Sequence, residues 1–246
     1  MLSKSSKKLS VERKINNLFQ EYQPQIQEIR LLLVRSLVFF LIGGSLGLIF
    51  NRQIVLFLIN LFDLKKVNVV LTSPYQFVNL AVSIAVVIGL VSTLPVFIYY
   101  LLRYLHPALK EEEYHLIKKL IPASLTLFVF GCFFGGKMEQ FIVNLYAQTT
   151  ANYSLNNFWD VEAFFSQLLI MAFCMGLVFQ LPIVLTILIK IKLITVSFLS
   201  HQRRYIYCAL IFFGILMPPT DILSLALITT PLFILFEGTL LLNRSN

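Results

Sequence analysis

Charge is what this sequence has least of. Asp, Glu, Lys and Arg make up 13% of its 246 residues, 58% are hydrophobic, and the mean hydropathy is +0.81. Soluble domains carry roughly 25% charge, and no water-soluble fold of this length has an interior that could hold so much apolar surface. Lipid must be the solvent for most of the chain. Histidine and cysteine are scarce too, with three of each. His106, His115 and His201 fall between the apolar runs with no second ligand at coordinating spacing, which argues against zinc, haem or quinone sites. Cys132, Cys174 and Cys208 lie inside apolar runs without metal-ligand spacing and read as buried, inert thiols. A Gly-x-x-x-x-Gly-Lys phosphate loop is also missing, so nucleotide hydrolysis by that route is excluded. No cofactor is expected, and the chain does not read as an enzyme.

What is present is a set of long apolar runs with polar punctuation. Six can be read: about 31–50, 75–102, 116–134, 161–189, and two that share the stretch 205–242. Ser73-Pro74-Tyr75-Gln76 is a helix start, with Ser as N-cap, Pro in the first turn and Gln positioned to close a capping box. Asp160 and Asp221 are placed to cap the fourth and sixth runs. The third run can continue to Tyr146 despite Gly135, Gly136 and Lys137. Pro218-Pro219-Thr220-Asp221 divides the last stretch into two pieces shorter than the roughly 20 residues a bilayer needs, which predicts two short final helices and a locally thinned membrane. Gly43-x-x-x-Gly47 and Gly131-x-x-x-Gly135 are close-packing patterns for helix contact. Between the first two runs, Ile54, Leu58 and Leu61 recur at helical spacing and predict a short helix across the top of the bundle.

The net charge of +8 does not point to nucleic acid, because it is gathered in the connections between runs. One side holds Lys4, Lys7, Lys8, Arg13 and Lys14 of the tail with Arg30, Arg35, Arg103, Lys110, Lys118, Lys119, Lys190, Lys192, Arg203, Arg204 and Arg244, and the other only Arg52, Lys65, Lys66 and Lys137. By the positive-inside rule both termini face the cytoplasm or its organellar equivalent. Residues 1–24 carry Val11, Ile15, Leu18 and Tyr22 at helical spacing among charges and read as an amphipathic tail with no cleavable signal, ended by Pro24. The expected organisation is that tail, a six-span core over 25–242 and a short end at 243–246: an all-α membrane bundle.

Against this background the acids Glu111, Glu112 and Glu113 stand on the basic side, with Glu28 on a second segment. Two readings are open. They are the solvated first turn of the third long helix, where negative charge suits the helix dipole, or they dock a basic peptide. Side chains of adjacent residues in an extended peptide point to opposite faces, so two neighbouring arginines need two acidic points. The planar guanidinium pairs a carboxylate in a bidentate way that lysine does not reproduce.

The run Tyr104-Leu105-His106-Pro107-Ala108-Leu109-Lys110-Glu111-Glu112-Glu113 resembles the first cytoplasmic loop of the TatC family, the polytopic subunit of the twin-arginine protein translocase. Gln27-Glu28-Ile29-Arg30 resembles that family's motif before the first span. Thr72-Ser73-Pro74-Tyr75, Phe179-Gln180-Leu181-Pro182 and Pro218-Pro219-Thr220-Asp221-Ile222-Leu223-Ser224 follow in the family's order. The resemblance implies that Glu113 and Glu28 contact the arginine pair of a signal peptide, with Tyr104 and Pro107 beside them. It implies partners as well: twin-arginine signal peptides of folded precursors, small single-span subunits of the TatA and TatB type, and further copies of the chain. Transport would draw on the proton-motive force. Tyr114, Leu225 and Gln180 depart from the usual Arg, Gln and Glu. The Gln form, with a composition rich in Phe, Ile, Leu and Asn, is similar to the cyanobacterial and plastid branch, so a thylakoid membrane is expected, with bacterial or mitochondrial inner membranes as alternatives. Gln180 and Asp221 each have a packing reading and a partner-contact reading. The rival functions are a secondary transporter for a small solute and a structural subunit of an electron-transfer complex.

Overall fold

The computed structural model describes residues 27–61, 69–70, 73–105, 111–152, 159–218 and 221–244. In lipid every backbone N–H and C=O must be satisfied within its own segment, so apolar runs of this length fold as helices. They do so here: α1 (Gln27–Ile49), α2 (Asn51–Leu61), α3 (Gln76–Leu105), α4 (Glu111–Asn152), α5 (Val161–Val178), α6 (Leu181–Lys190), α7 (Val196–His201), α8 (Arg203–Leu216) and α9 (Ile222–Arg244). Two two-residue strands, β1 (Val69–Val70) and β2 (Trp159–Asp160), pair in parallel and tie two connections together at one end of the bundle. Five helical stretches among the described residues are long and apolar enough to cross a membrane: 27–49, 76–100, 118–149, 161–190 and 222–244. Large apolar side chains such as Leu33, Ile49, Phe77, Val129, Ile234 and Leu242 stand exposed on their outer faces, as a lipid-solvated bundle requires.

The expected pair of short final helices is corrected to one. α9 runs 23 residues, Ile222–Arg244, a full crossing length at about 1.5 Å per residue, because the helix restarts directly after Asp221. Only α8, with 14 residues, is short. The third run does continue past Gly135, Gly136 and Lys137, so that α4 reaches 42 residues. At about 63 Å it is roughly twice the hydrocarbon thickness and rises well out of it. The fourth run is broken in the middle. Pro182 has no N–H to give, and the chain passes through Phe179 and Gln180 before α6 restarts. Cys208 lies exposed on α8 and not in the interior, while Cys132 and Cys174 are half-buried.

Successive long helices run antiparallel, and α5 sits between two cores. One gathers Leu80, Ile84, Val143, Phe164 and Leu168, roofed by Ile54 and Leu58 of α2. The other gathers Met171, Met175, Ile228, Leu232 and Phe236. The seam between α4 and α5 is the most extensive in the molecule. There Gly131 faces the Met175 carbonyl and the Gly176 Cα, and Gly135 faces the Met171 carbonyl and the Ala172 Cα, so backbone meets backbone. Gly43 and Gly47 do the same for α1 against the Gly89 and Ala85 backbone of α3. A Cβ built on Gly131 would lie 2.8 Å from both the Met175 oxygen and the Phe179 Cβ, closer than side chains pack. Gly131→Ala is therefore expected to destabilise the folded protein by about 1–3 kcal/mol. Gly238→Ala, with nothing within 4 Å of the new methyl, should be neutral or stabilise by up to about 1 kcal/mol. Thermal unfolding of the two variants in detergent checks the contrast, and equal effects would refute the seam as the close contact.

Candidate functional site

One end of the bundle collects the start of α1, the end of α3, the start of α4, the α6–α8 region and the end of α9. Of the described Lys and Arg residues, Arg30, Arg35, Lys118, Lys119, Lys190, Lys192, Arg203, Arg204 and Arg244 belong to this end, and Arg52 and Lys137 to the opposite half. Glu28 lies in the first turns of α1 and is exposed. Glu111, Glu112 and Glu113 begin α4 at the same end, with Glu111 exposed. Tyr104 falls in the last turn of α3. The side chains of Tyr104, Glu112 and Glu113 and the whole of Pro107 lie outside the described residues, as do residues 1–26. Arg35 stacks its guanidinium 4.7 Å from the Tyr100 ring, fixing α1 against α3 just inside this end.

Gln180 turns inward at the α5–α6 break and bonds α4 twice. The Ser124 hydroxyl donates to its Oε1, and its Nε2 donates to the Ser124 carbonyl at 3.0 Å. Asp221 caps α9 by accepting the Ser224 N–H at 2.9 Å, and the Tyr146 hydroxyl of α4 bonds to it as well. Burial works to raise the Asp221 carboxyl, but the bonds from Ser224 and Tyr146 outweigh it and hold the group below the usual carboxylate range. The ionised cap is thus a stabilising element at neutral pH, lost only as pH falls through that lowered value. Asp160 likewise caps α5 through the Ala163 N–H at 3.1 Å, and it receives the Gln76 amide from the start of α3.

The sequence reading passed over two acids within spans, Glu139 in the interior and Glu237 half-buried. Glu139 of α4 is 1% exposed; its Oε1 accepts from Gln167 of α5 at 2.7 Å, and its Oε2 has no partner among the described residues. Glu237 of α9 accepts the Tyr207 hydroxyl and pairs with Arg203 at 3.4 Å, which pins α8 to α9. The signal for both was simple: an isolated Glu inside an apolar run needs a named partner. That partner could not be read from spacing, because it sits on another helix.

These arrangements define a polytopic helical membrane protein whose polar groups join helices or cap them, with Glu28 and Glu111 exposed at the basic end. A family model described as TatC, Sec-independent protein translocase protein, matches residues 25–231. The chain is 30% identical over 223 residues to the Sec-independent protein translocase protein TatCy of Bacillus subtilis, covering 88% of this chain and 85% of that one. It is 26% identical over 167 residues to the chloroplastic Sec-independent protein translocase protein TATC of Oryza sativa, covering 68% and 46%. A crystal structure of the twin-arginine translocase receptor TatC in DDM superposes with a TM-score of 0.80 at 25% identity, covering 89% of this chain and 99% of that one. The chain belongs to the TatC family. It is a multi-pass membrane subunit of a Sec-independent protein translocase and not an enzyme, which sets aside the solute-transporter and electron-transfer readings.

The Gln180–Ser124 pair can be weighed directly. Gln180→Leu and Ser124→Ala should each destabilise the protein, and the double variant should lose less than the sum of the two. A coupling energy of about 1 kcal/mol is expected for an interhelical bond of this kind. Thermal unfolding of the four proteins in detergent measures it, and strict additivity would mean that the bond contributes nothing.

Proposed function

We propose that this chain is the signal-peptide receptor of a twin-arginine translocase, moving folded precursors across a membrane with the proton-motive force. The observation that carries the reading is the shared location of Glu28 and the acidic first turn of α4 at the end of the bundle richest in Lys and Arg. A basic ligand has to compete there with the chain's own cations for the carboxylates, so a docking role calls for two carboxylates on separate helices. α1 and α4 supply them. Glu113 and Glu28 take the arginine pair, while Tyr104 and Pro107 shape the approach between α3 and α4. The chain works with small single-span subunits of the TatA and TatB type and with further copies of itself. Gln180 and Asp221, bonded within the chain, are the polar positions at which this reading has partner subunits pack.

The architecture in this reading is six spans, with short α8 completing the count, both termini on the cytoplasmic or stromal side, and residues 1–24 as a surface tail. A/T-biased composition and Gln180 support a thylakoid membrane. The topology has its own check. Reporters fused after Asn246 and inserted near Lys110 should read out on one side, and reporters near Lys65 or Asn152 on the other. A C-terminal signal from the far side would require an odd number of spans.

Glu113→Gln keeps the side-chain shape and removes the charge. Loss of one partner from a desolvated pair costs roughly 2–5 kcal/mol, about 30-fold to several-thousand-fold in affinity. Glu28→Gln should weaken binding less, because the start of α1 is exposed. Glu111→Gln and Glu112→Gln should change little. Binding of a peptide carrying two arginines, against one carrying two lysines, at two salt concentrations is the measurement. Equal loss in all three loop variants would show a diffuse charge effect and remove Glu113 from its role.

A further inference from the structure

At the basic end, away from the α1–α4 edge, a cavity of about 580 Å³ opens between α7, the start of α8 and the end of α9. Val196, Ser197, Ser200, His201, Arg203, Leu240, Leu241, Asn243 and Arg244 line it, and no carboxylate is among them. Its place in the fold follows from the turn after α6. Lys192 takes a left-handed conformation (φ 59°) that closes the helix with the Leu193 N–H on the Leu188 carbonyl at 3.1 Å, and Thr195 then caps α7 through the Phe198 N–H at 3.2 Å. This lays α7 beside the last turns of α9 and leaves a recess at the depth where the apolar run of α9 ends.

We propose that this recess binds the anionic headgroup of a membrane lipid. Arg203 and Arg244 are permanent cations, and the hydroxyls of Ser197 and Ser200 add neutral donors. Glu237 holds one arm of the Arg203 guanidinium at 3.4 Å, and the Arg203 side chain is still 42% exposed where it lines the recess. The donors left on Arg203 and Arg244 call for acceptor oxygens from outside the protein. Phosphate or sulfonate oxygens fit that need. A lipid suits the recess better than a soluble anion because part of its wall is apolar. Leu240 is buried beneath it, and Leu241, 65% exposed, continues into the lipid-facing side of α9, where an acyl chain can lie. Basic recesses between spans on the cytoplasmic side recognise anionic headgroups in this manner.

Native mass spectrometry of the full chain in detergent, titrated separately with phosphatidylglycerol, phosphatidylcholine and inorganic phosphate, tests the site. Phosphatidylglycerol should bind at least about five-fold more tightly than phosphatidylcholine, the worth of one nearby cation. Arg244→Gln should remove about that factor, and Ser200→Leu, which fills the recess, should remove selective binding. Arg52→Gln, at the opposite end, should leave it unchanged. Equal affinity for the two lipids overturns the proposal, as does an equal loss in Arg52→Gln, which would signal general attraction. Inorganic phosphate binding as tightly as phosphatidylglycerol would make this a soluble-anion site and also overturn it. If Ser200→Leu does not fold, the lipid comparison on the unaltered chain and on Arg244→Gln still decides. Peptide binding at Glu113 is a separate readout, so the two sites can fail independently.

Discussion

The close contact of α4 with α5 is the constraint from which the rest of the bundle takes its position. Lipid tails are as apolar as leucine, so two apolar helices gain nothing in a membrane merely by hiding from their solvent. They hold through van der Waals contact and interhelical hydrogen bonds, both of which need near approach. Gly131, Gly135 and Gly176 provide that approach. The bonds then fall in register on either side of the glycines: Ser124 to Gln180 toward the basic end, and Gln167 to Glu139 toward the other. A helix pair set further apart would leave all of these groups short of a partner inside the hydrocarbon, where each unsatisfied group is expensive. Because α5 also carries residues of both apolar cores, the placement of α3 on one side and α9 on the other depends on the same seam.

The length of α4 gives the seam its consequence for function. A single continuous helix starts with the acidic turn at Glu111–Glu113, crosses the membrane and ends beyond Tyr146, which meets the Asp221 cap of α9. Its Pro122 lies near the basic end, so the helix is continuous through the glycine contacts. The acidic turn is therefore built on a packed element and not on a free loop, as a recognition site needs if its charges are to hold one geometry. Glu28, on the exposed start of α1, is held less directly, since α1 packs chiefly through Gly43, Gly47 and Arg35 against α3.

Much of this was legible in the residues, for identifiable reasons. Span positions follow from apolar run length, and the caps at Asp160 and Asp221 follow from side-chain chemistry within three residues of the N–H donors they accept from. The Gly-x-x-x-Gly patterns were readable as contacts because small residues have few other uses at that spacing in a span. What escaped was non-local or cumulative. Gln76 sits where a capping box would place it, yet its amide reaches Asp160, 84 residues away. Glu139 and Glu237 were invisible as paired groups because Gln167, Tyr207 and Arg203 lie on neighbouring helices. The length of α9 was misjudged because Pro218-Pro219 was read as splitting 205–242 into two short pieces, whereas the piece after it is a full crossing length, and the Asn243 amide, donating to the Thr186 hydroxyl and the Thr239 carbonyl, carries the helix on to Arg244. The acid pair at the basic end was readable from charge placement, and its partners in space rest on the family resemblance.

Gln180 shows how a departure from the family pattern can follow from local chemistry. The site asks for an acceptor toward the Ser124 hydroxyl and a donor toward the Ser124 carbonyl on the same side chain. An amide supplies both without carrying charge. A carboxylate could accept the hydroxyl, but it has no hydrogen to give the carbonyl and would bring an uncompensated charge to the middle of a span. A glutamate here would satisfy both bonds only with a proton on one oxygen, so its fit would vary with protonation, whereas glutamine holds the α5–α6 break against α4 at any pH. The two bonds with Ser124 account for an uncharged amide at this break.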